Sequence, residues 1–281
     1  MTIMKANDET PQAKKAHKPR AKWPRRLAIA LAIALVAACL AAGTFLVYAS
    51  SYYHDADAHH ETLASTAQLP VEQGDGYLAF GDPNASVGLV FYPGAKVEYS
   101  AYAPLMRDLA ERGVFSVVVQ MPFNFAFFDI NAADRVRAAY PAITSWWVGG
   151  HSLGGSMAAQ YAADHADDPS MKGVVLAASY SASDLSHANL GAVSVYGSND
   201  QVLNRSKLEE NAGFLPSESS TVEIAGGNHA GFGDYGPQDG DGSASISPEQ
   251  QRDQAADIIA AYLLDREQAA TPQSASLPQA A

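Results

Sequence analysis

The longest uninterrupted apolar stretch in the chain is Leu27–Ala49, LAIALAIALVAACLAAGTFLVYA, which contains no charged residue. As a helix it spans about 34 Å, enough to cross the hydrocarbon core of a bilayer. Residues 50–70 are polar, lack a sustained apolar face and read as a stalk. From residue 71 the pattern changes to short apolar, β-branched runs alternating with helical periodicity. Strands are predicted at Tyr77–Phe80, Val87–Tyr92, Val114–Gln120, Ser145–Val148, Gly173–Ala178, Ala192–Tyr196 and Thr221–Ile224. Several of these runs are apolar at consecutive positions, as expected of parallel strands covered on both faces. Helices are predicted at Tyr102–Arg112, closed by Gly113, and at Leu153–His165. A third opens at Ser247-Pro248-Glu249-Gln250, which supplies an N-cap, a proline at the first helical position and a capping-box glutamine. Its apolar residues Ala255, Ile258, Ile259, Tyr262 and Leu263 fall on one stripe. This alternation predicts an α/β fold, a doubly wound, mostly parallel sheet over residues 71–266. Residues 267–281 are small and polar and are expected to be disordered.

Charge sharpens the picture at the N-terminus. The net charge is −12, yet residues 1–26 hold eight Lys/Arg against Asp8 and Glu9, leaving 10 basic and 28 acidic residues in the remainder. So acidic a body repels a phosphate backbone, which argues against nucleic-acid binding. The basic tail adjoins the apolar span, and Asp55 and Asp57 follow it. By the positive-inside rule this arrangement predicts a single-pass protein of the cell membrane, residues 1–26 cytoplasmic and the body on the far side. Tyr48, Tyr52 and Tyr53 fall where an interfacial aromatic belt would lie. A cleaved signal peptide is the competing reading, although its apolar part is usually only about 7–15 residues long. Val36-Ala37-Ala38-Cys39 has the shape of a lipoprotein cleavage site, but the residues after Cys39 stay apolar. All three readings export the body. Cys39 is the single cysteine, so neither an intramolecular disulfide nor a cysteine-rich metal site is available.

The chemistry centres on Gly150-His151-Ser152-Leu153-Gly154, a G-x-S-x-G sequence. A strand run precedes it directly and a helix follows, the context a nucleophile elbow needs. Small residues two before and two after the serine let a strained turn pack closely and expose Oγ. The helix N-terminus aims backbone N–H groups and positive dipole at a developing oxyanion. The bland alternative is a glycine-rich turn with a solvated serine.

A serine hydroxyl is a poor nucleophile until an imidazole takes its proton, and a carboxylate must fix the imidazole tautomer. Asp200 lies just past the strand ending at Tyr196, and His229 follows the strand ending at Ile224 in Gly226-Gly227-Asn228-His229. The order Ser, Asp, His along the chain suits an elbow of this kind. Asp184 is the alternative acid; His187 fits less well as base. His151 reads as filling a niche beside the serine, and His165 as capping a helix. Backbone oxyanion donors are expected at Leu153 and at Ala95, in the turn Pro93-Gly94-Ala95-Lys96; Lys96 itself reads as a solvated charge.

Only about 15 residues separate the strands ending at Ala178 and starting at Ala192, which leaves no room for a large lid. The segment Met121–Ile130 is the expected cover, with Phe123, Phe125, Phe127 and Phe128 either lining an acyl pocket or packed as core. No cofactor and no metal are expected. A P-loop and a dinucleotide fingerprint are absent, His54, His59 and His60 lack a carboxylate framework, and the acidic loop Gly231–Ser245 lacks the glycine and glutamate of an EF-hand.

The segments FYPGAKVEYSAYAPLMRDLAERG, GGHSLGGSMAA, YGSNDQV and GGNHAGFGDYG together resemble a small bacterial α/β-hydrolase group close to the dienelactone-hydrolase-like branch, over about residues 76–264. The resemblance implies that Ser152, Asp200 and His229 form a catalytic triad. Dienelactone hydrolases proper use a cysteine nucleophile where this chain has Ser152, so their lactone chemistry is not implied. The expected activity is cleavage of a small carboxylic ester or related acyl substrate by a membrane-anchored enzyme. An amidase or peptidase would share these residues, and a non-catalytic surface-binding protein would keep the scaffold. The expected partners are the small substrate and the bilayer; the sequence points to no protein partner.

Overall fold

The structure is a computed structural model and describes residues 23–54 and 61–270. Residues 1–22 of the basic tail, residues 55–60 of the expected stalk (with Asp55, Asp57, His59 and His60) and residues 271–281 lie outside the described residues.

The chain divides into two compact units at Tyr48–Ala49. The first carries helix α1 (Trp23–Ser50). Its segment Arg25–Ser50 is long and apolar enough to cross a membrane. Leucines, isoleucines and valines point outward along it, from Leu27 to Val47. An α-helix satisfies every interior backbone group within itself, so such a surface is at home in lipid.

The second unit is built on an eight-stranded sheet, introduced by β1 (Val71–Gly74), β2 (Tyr77–Phe80) and β3 (Gly88–Tyr92). Helix α2 (Ala103–Glu111), β4 (Phe115–Val119), α3 (Ala132–Ala139) and β5 (Trp146–His151) follow. Then come α4 (Leu153–Asp164), β6 (Met171–Ala177), β7 (Gly191–Gly197), α5 (Arg205–Glu210), β8 (Glu218–Ile224) and α6 (Pro248–Ala270). The strand order is β1-β2-β4-β3-β5-β6-β7-β8. The pairs β1–β2 and β2–β4 are antiparallel and all the others parallel. The doubly wound, mostly parallel sheet is therefore as the hydrophobic pattern predicts.

Strands β3, β4 and β5 are buried along their whole length, and a core lies on each side of the sheet. Phe91, Trp147, Val175 and Val193 face one layer with α2 and α6, while Val90, Val148, Val174 and Leu176 face the other with α3 and α4. Helix α2 stops where Gly113 takes φ 90°, a left-handed conformation that glycine adopts without a Cβ clash.

Several elements depart from the sequence reading. Strand β1 is polar, VEQG, and only half-buried; pairing with β2 makes it a strand, not its own pattern. Helices α3 and α5 are short, and α6 runs to Ala270, past the expected boundary at 266, through the helix-favouring Glu267-Gln268-Ala269-Ala270. Part of the expected stalk is ordered. Tyr53 donates its amide to the Lys96 carbonyl (2.7 Å) and accepts from the Glu98 amide (2.9 Å). Its ring packs 5.5 Å from that of Tyr235, so Tyr53 belongs to the sheet-bearing unit.

Candidate active site

Strand β5 does not stop at Val148. Gly149, Gly150 and His151 continue its ladder against Val175, Leu176 and Ala177 of β6, and the chain then turns into α4 at Ser152. Ser152 sits at φ 54° and ψ −123°, a strained conformation for any residue with a side chain. The glycines around it are dictated by space. A Cβ on Gly150 would lie 2.5 Å from the Gly154 carbonyl carbon, and one on Gly154 would lie 2.2 Å from the Tyr92 carbonyl oxygen. Backbone thus passes so close to the turn that only glycine fits on either side. The turn is further held by the Ser152 amide on the Ala177 carbonyl (2.9 Å) and the Ser179 hydroxyl on the Ser152 carbonyl (2.7 Å).

Asp200 follows β7 and His229 follows β8, two strands in parallel register up to the pair Gly197–Ile224. That register delivers both side chains to the carboxyl edge of the sheet, where His229 shares a cavity with Ser152. The His229 Nδ1 lies 2.9 Å from Asp200 Oδ2, with both side chains essentially without solvent contact. The other carboxylate oxygen of Asp200 accepts the amides of Val202 (2.9 Å) and Leu203 (2.8 Å). With the acid so fixed, Nδ1 of His229 is the ring nitrogen that carries the proton and Nε2 is left basic. Nε2 is buried and has no hydrogen-bond partner among the described residues.

Ser152 and His229 line one cavity of about 230 Å³, together with Leu153, Tyr180, Leu203 and Asn204. No hydrogen bond joins their side chains. Cavities of about 340 and 350 Å³ elsewhere on the unit touch neither residue. The chemistry, not the volume, singles out the smaller one.

The two expected oxyanion donors are positioned differently from their neighbours. Gly94 donates its amide to the Tyr102 hydroxyl (3.0 Å) and Lys96 donates to the Asn124 carbonyl (2.8 Å). Between them, the Ala95 amide has no protein acceptor among the described residues, and neither has the Leu153 amide at the start of α4.

The rival acid is elsewhere. Asp184 is exposed and accepts from the amide and hydroxyl of Ser186, and His187 is exposed beside it. His165 stacks on Tyr161 at the end of α4. The four phenylalanines do not line the cavity that holds Ser152. Phe123, Phe127 and Phe128 are exposed and Phe125 is buried, their rings clustered in edge-to-face and tilted pairs on and between two short 3₁₀ turns. A run of aromatic residues after a strand looks the same in sequence whether it turns inward or outward. No helix or strand interrupts residues 178–190, in keeping with the absence of a large lid. Among the described residues no cluster of His, Cys, Asp and Glu could hold a metal ion.

Three supporting side chains escape a sequence reading. Gln251, fully buried in α6, accepts from the Asn228 amide (2.9 Å) and donates to the Asn228 carbonyl (2.7 Å), immediately before His229. Asp241 accepts the Ala230 amide (2.9 Å), immediately after it. Tyr102 binds His151 across 49 residues of sequence. No local spacing announces such partners.

Residues 88–253 match the model of the alpha/beta hydrolase family, and the chain belongs to that family. No curated protein matches it in sequence. A membrane phospholipase A described as a bacterial virulence factor has a similar structure, with a TM-score of 0.55 at 13% identity, covering 87% of this chain and 98% of its own. A CIB-like hydrolase from Thermoplasma acidophilum aligns with a TM-score of 0.51 at 14% identity, covering 70% of this chain and 100% of its own. A protein of unknown function from Agrobacterium tumefaciens aligns with a TM-score of 0.50 at 16% identity, covering 72% and 97% respectively. Likeness at these identities speaks for the fold alone.

Proposed function

We propose that this hydrolase is a serine acyl hydrolase, tethered by α1, that cleaves a small carboxylic ester or thioester through Ser152, His229 and Asp200. The carrying observation is the buried His229–Asp200 hydrogen bond, with the unpartnered His229 Nε2 on the same cavity as Ser152. The Ser152 Oγ attacks the acyl carbon while its proton passes to His229 Nε2. The oxyanion that forms takes hydrogen bonds from the Leu153 and Ala95 amides. Collapse expels the alcohol or thiol, which leaves with the proton from Nε2, and the acyl group stays on Oγ. Water then attacks the acyl-enzyme, gives its proton to Nε2, and the acid departs as Oγ regains that proton. Asp200 keeps the ring oriented and stabilises the imidazolium without itself being protonated.

The size of the cavity supports a small acyl group, and its wall, with Leu153, Tyr180 and Leu203, is largely apolar. The sequence likeness over about residues 76–264 supports the dienelactone-hydrolase-like subgroup. The basic residues before α1 support a cytoplasmic N-terminus and a body beyond the membrane. The test is labelling of the full chain by a fluorophosphonate probe together with turnover of short p-nitrophenyl esters. Both are expected, and both vanish in Ser152→Ala. Folded wild type that takes up no probe would instead favour a non-catalytic binding role. Labelling without ester turnover, with cleavage of an anilide, would favour an amidase.

A further inference from the structure

His151 is essentially without solvent contact, and the reaction above does not use it. Its Nδ1 lies 2.8 Å from the Tyr102 hydroxyl and its Nε2 lies 3.0 Å from the backbone carbonyl oxygen of His229. The Tyr102 hydroxyl also receives the Gly94 amide at 3.0 Å. These contacts fix every proton in the chain. A carbonyl can only accept, so Nε2 of the neutral ring donates to His229, and Nδ1 accepts from the Tyr102 hydroxyl, whose oxygen accepts the Gly94 amide.

We propose that His151 is a positioning residue. Through its Nε2–H it holds the backbone of His229, and through Tyr102 it ties that backbone to Gly94, next to the expected oxyanion donor Ala95. The inference rests on the triad reading and extends it: base and oxyanion turn are set at a common spacing by one buried strut. The strut is packed without slack. A Cβ on Gly94 would lie 2.8 Å from His151 Nδ1 and 3.0 Å from the Tyr102 oxygen. The His151 and His229 rings are 4.5 Å apart at their centroids, and the Phe232 ring packs 5.8 Å from that of His151. Burial, followed by the neighbouring His229, holds the His151 pKa well below its ordinary value, which keeps the ring in the neutral form the strut requires. The residue before an elbow serine therefore acts on the base through its main chain, without touching substrate.

The test uses the full chain and compares His151→Leu, which lacks a donor, with His151→Gln, which can place an amide N–H near the position of Nε2. Displacing the base by a fraction of an ångström to an ångström lowers kcat about ten- to a hundredfold. His151→Leu is expected to show that loss with KM near wild type, and with the acid limb of the pH–rate profile moved. His151→Gln is expected to recover most of it. Tyr102→Phe is expected to lose part of kcat, and to add nothing when combined with His151→Leu, since both cut one strut. A folded His151→Leu with wild-type kcat overturns the proposal, and so does equal damage by Leu and Gln, which would mean that only volume matters. Should His151→Leu fail to fold, Tyr102→Phe decides: unchanged kcat rejects the strut, reduced kcat at unchanged KM supports it. Absence of fluorophosphonate labelling in wild type would condemn the triad reading instead, so the two failures are distinct.

Discussion

The Gln251 side-chain amide brackets the peptide groups of Asn228, accepting from its N–H at 2.9 Å and donating to its C=O at 2.7 Å. The loop that ends in His229 is thereby clamped to α6, and the clamp leaves no room beside it. A Cβ on Gly227 or Gly231 would lie 2.8 or 2.2 Å from the Gln251 amide oxygen. Gln251→Ala removes both bonds and leaves two part-buried backbone groups without their protein partner. The expected cost is about 1–3 kcal/mol of stability, together with a fall in kcat because His229 loses its support. Urea midpoints and ester turnover check both; a wild-type midpoint would show that the loop is held by other means.

A second prediction concerns strain at the elbow. Backbone at φ 54° and ψ −123° costs a residue with a Cβ about 1–3 kcal/mol. Ser152→Gly and Ser152→Ala both delete the hydroxyl, but only glycine relieves the strain. After glycine's own entropic cost in the unfolded chain, Ser152→Gly should be more stable than Ser152→Ala by about 1 kcal/mol. Thermal unfolding reads this as a rise of about 2–4 °C. A lower melting temperature for the glycine variant would mean that the turn is not strained.

The third is a pH dependence. His151 stays neutral in the folded chain, where its pKa is depressed, but protonates near pH 6.5 once unfolded. Below that pH the unfolded state binds the additional proton, so stability declines as pH falls through about 6.5, by up to about 1.4 kcal/mol per unit. Above it both states are neutral and His151 contributes no slope. The groups around the ring are His229, Tyr102 and Tyr235, and both tyrosines are held in the neutral form by burial. Urea unfolding at pH 5.5 and 7.5 should show a smaller difference in His151→Gln than in wild type. Identical differences would assign the effect to another group.

The exposed rings make the fourth. The Phe127 and Phe128 rings pack against each other at a tilt, 4.4 Å between centroids, but reach neither Ser152 nor its cavity. Phe127→Ser should change stability by no more than about 0.5 kcal/mol and leave short-ester turnover as it is. Reduced kcat/KM with unchanged folding would show that the loop bends over the substrate.

What could be read from the sequence follows from where the physics is local. Consecutive apolar residues such as Leu89-Val90-Phe91 announce a strand covered on both faces, and Gly150 and Gly154 announce a turn too tight for a side chain. Order along the chain also points to Asp200 and His229, because each follows a strand. The polar strand Val71–Gly74 was illegible, since it exists only through pairing with Tyr77–Phe80. So were Gln251 and Tyr102, whose roles depend on meeting residues 23 and 49 positions away. The direction of the phenylalanine loop is set by Phe123 and Asn124 at φ 55° and 58°, backbone choices that neither residue type dictates.

The turn after β7 does two jobs at once. Asp200 is pinned by the amides of Val202 and Leu203, and those same residues form part of the cavity wall. Anyone wishing to retool selectivity by lengthening or swapping this turn would loosen the carboxylate with it. The Tyr180 side chain, on the same cavity, holds none of Ser152, Asp200 and His229 in place. Redesign for bulkier acyl groups should begin there.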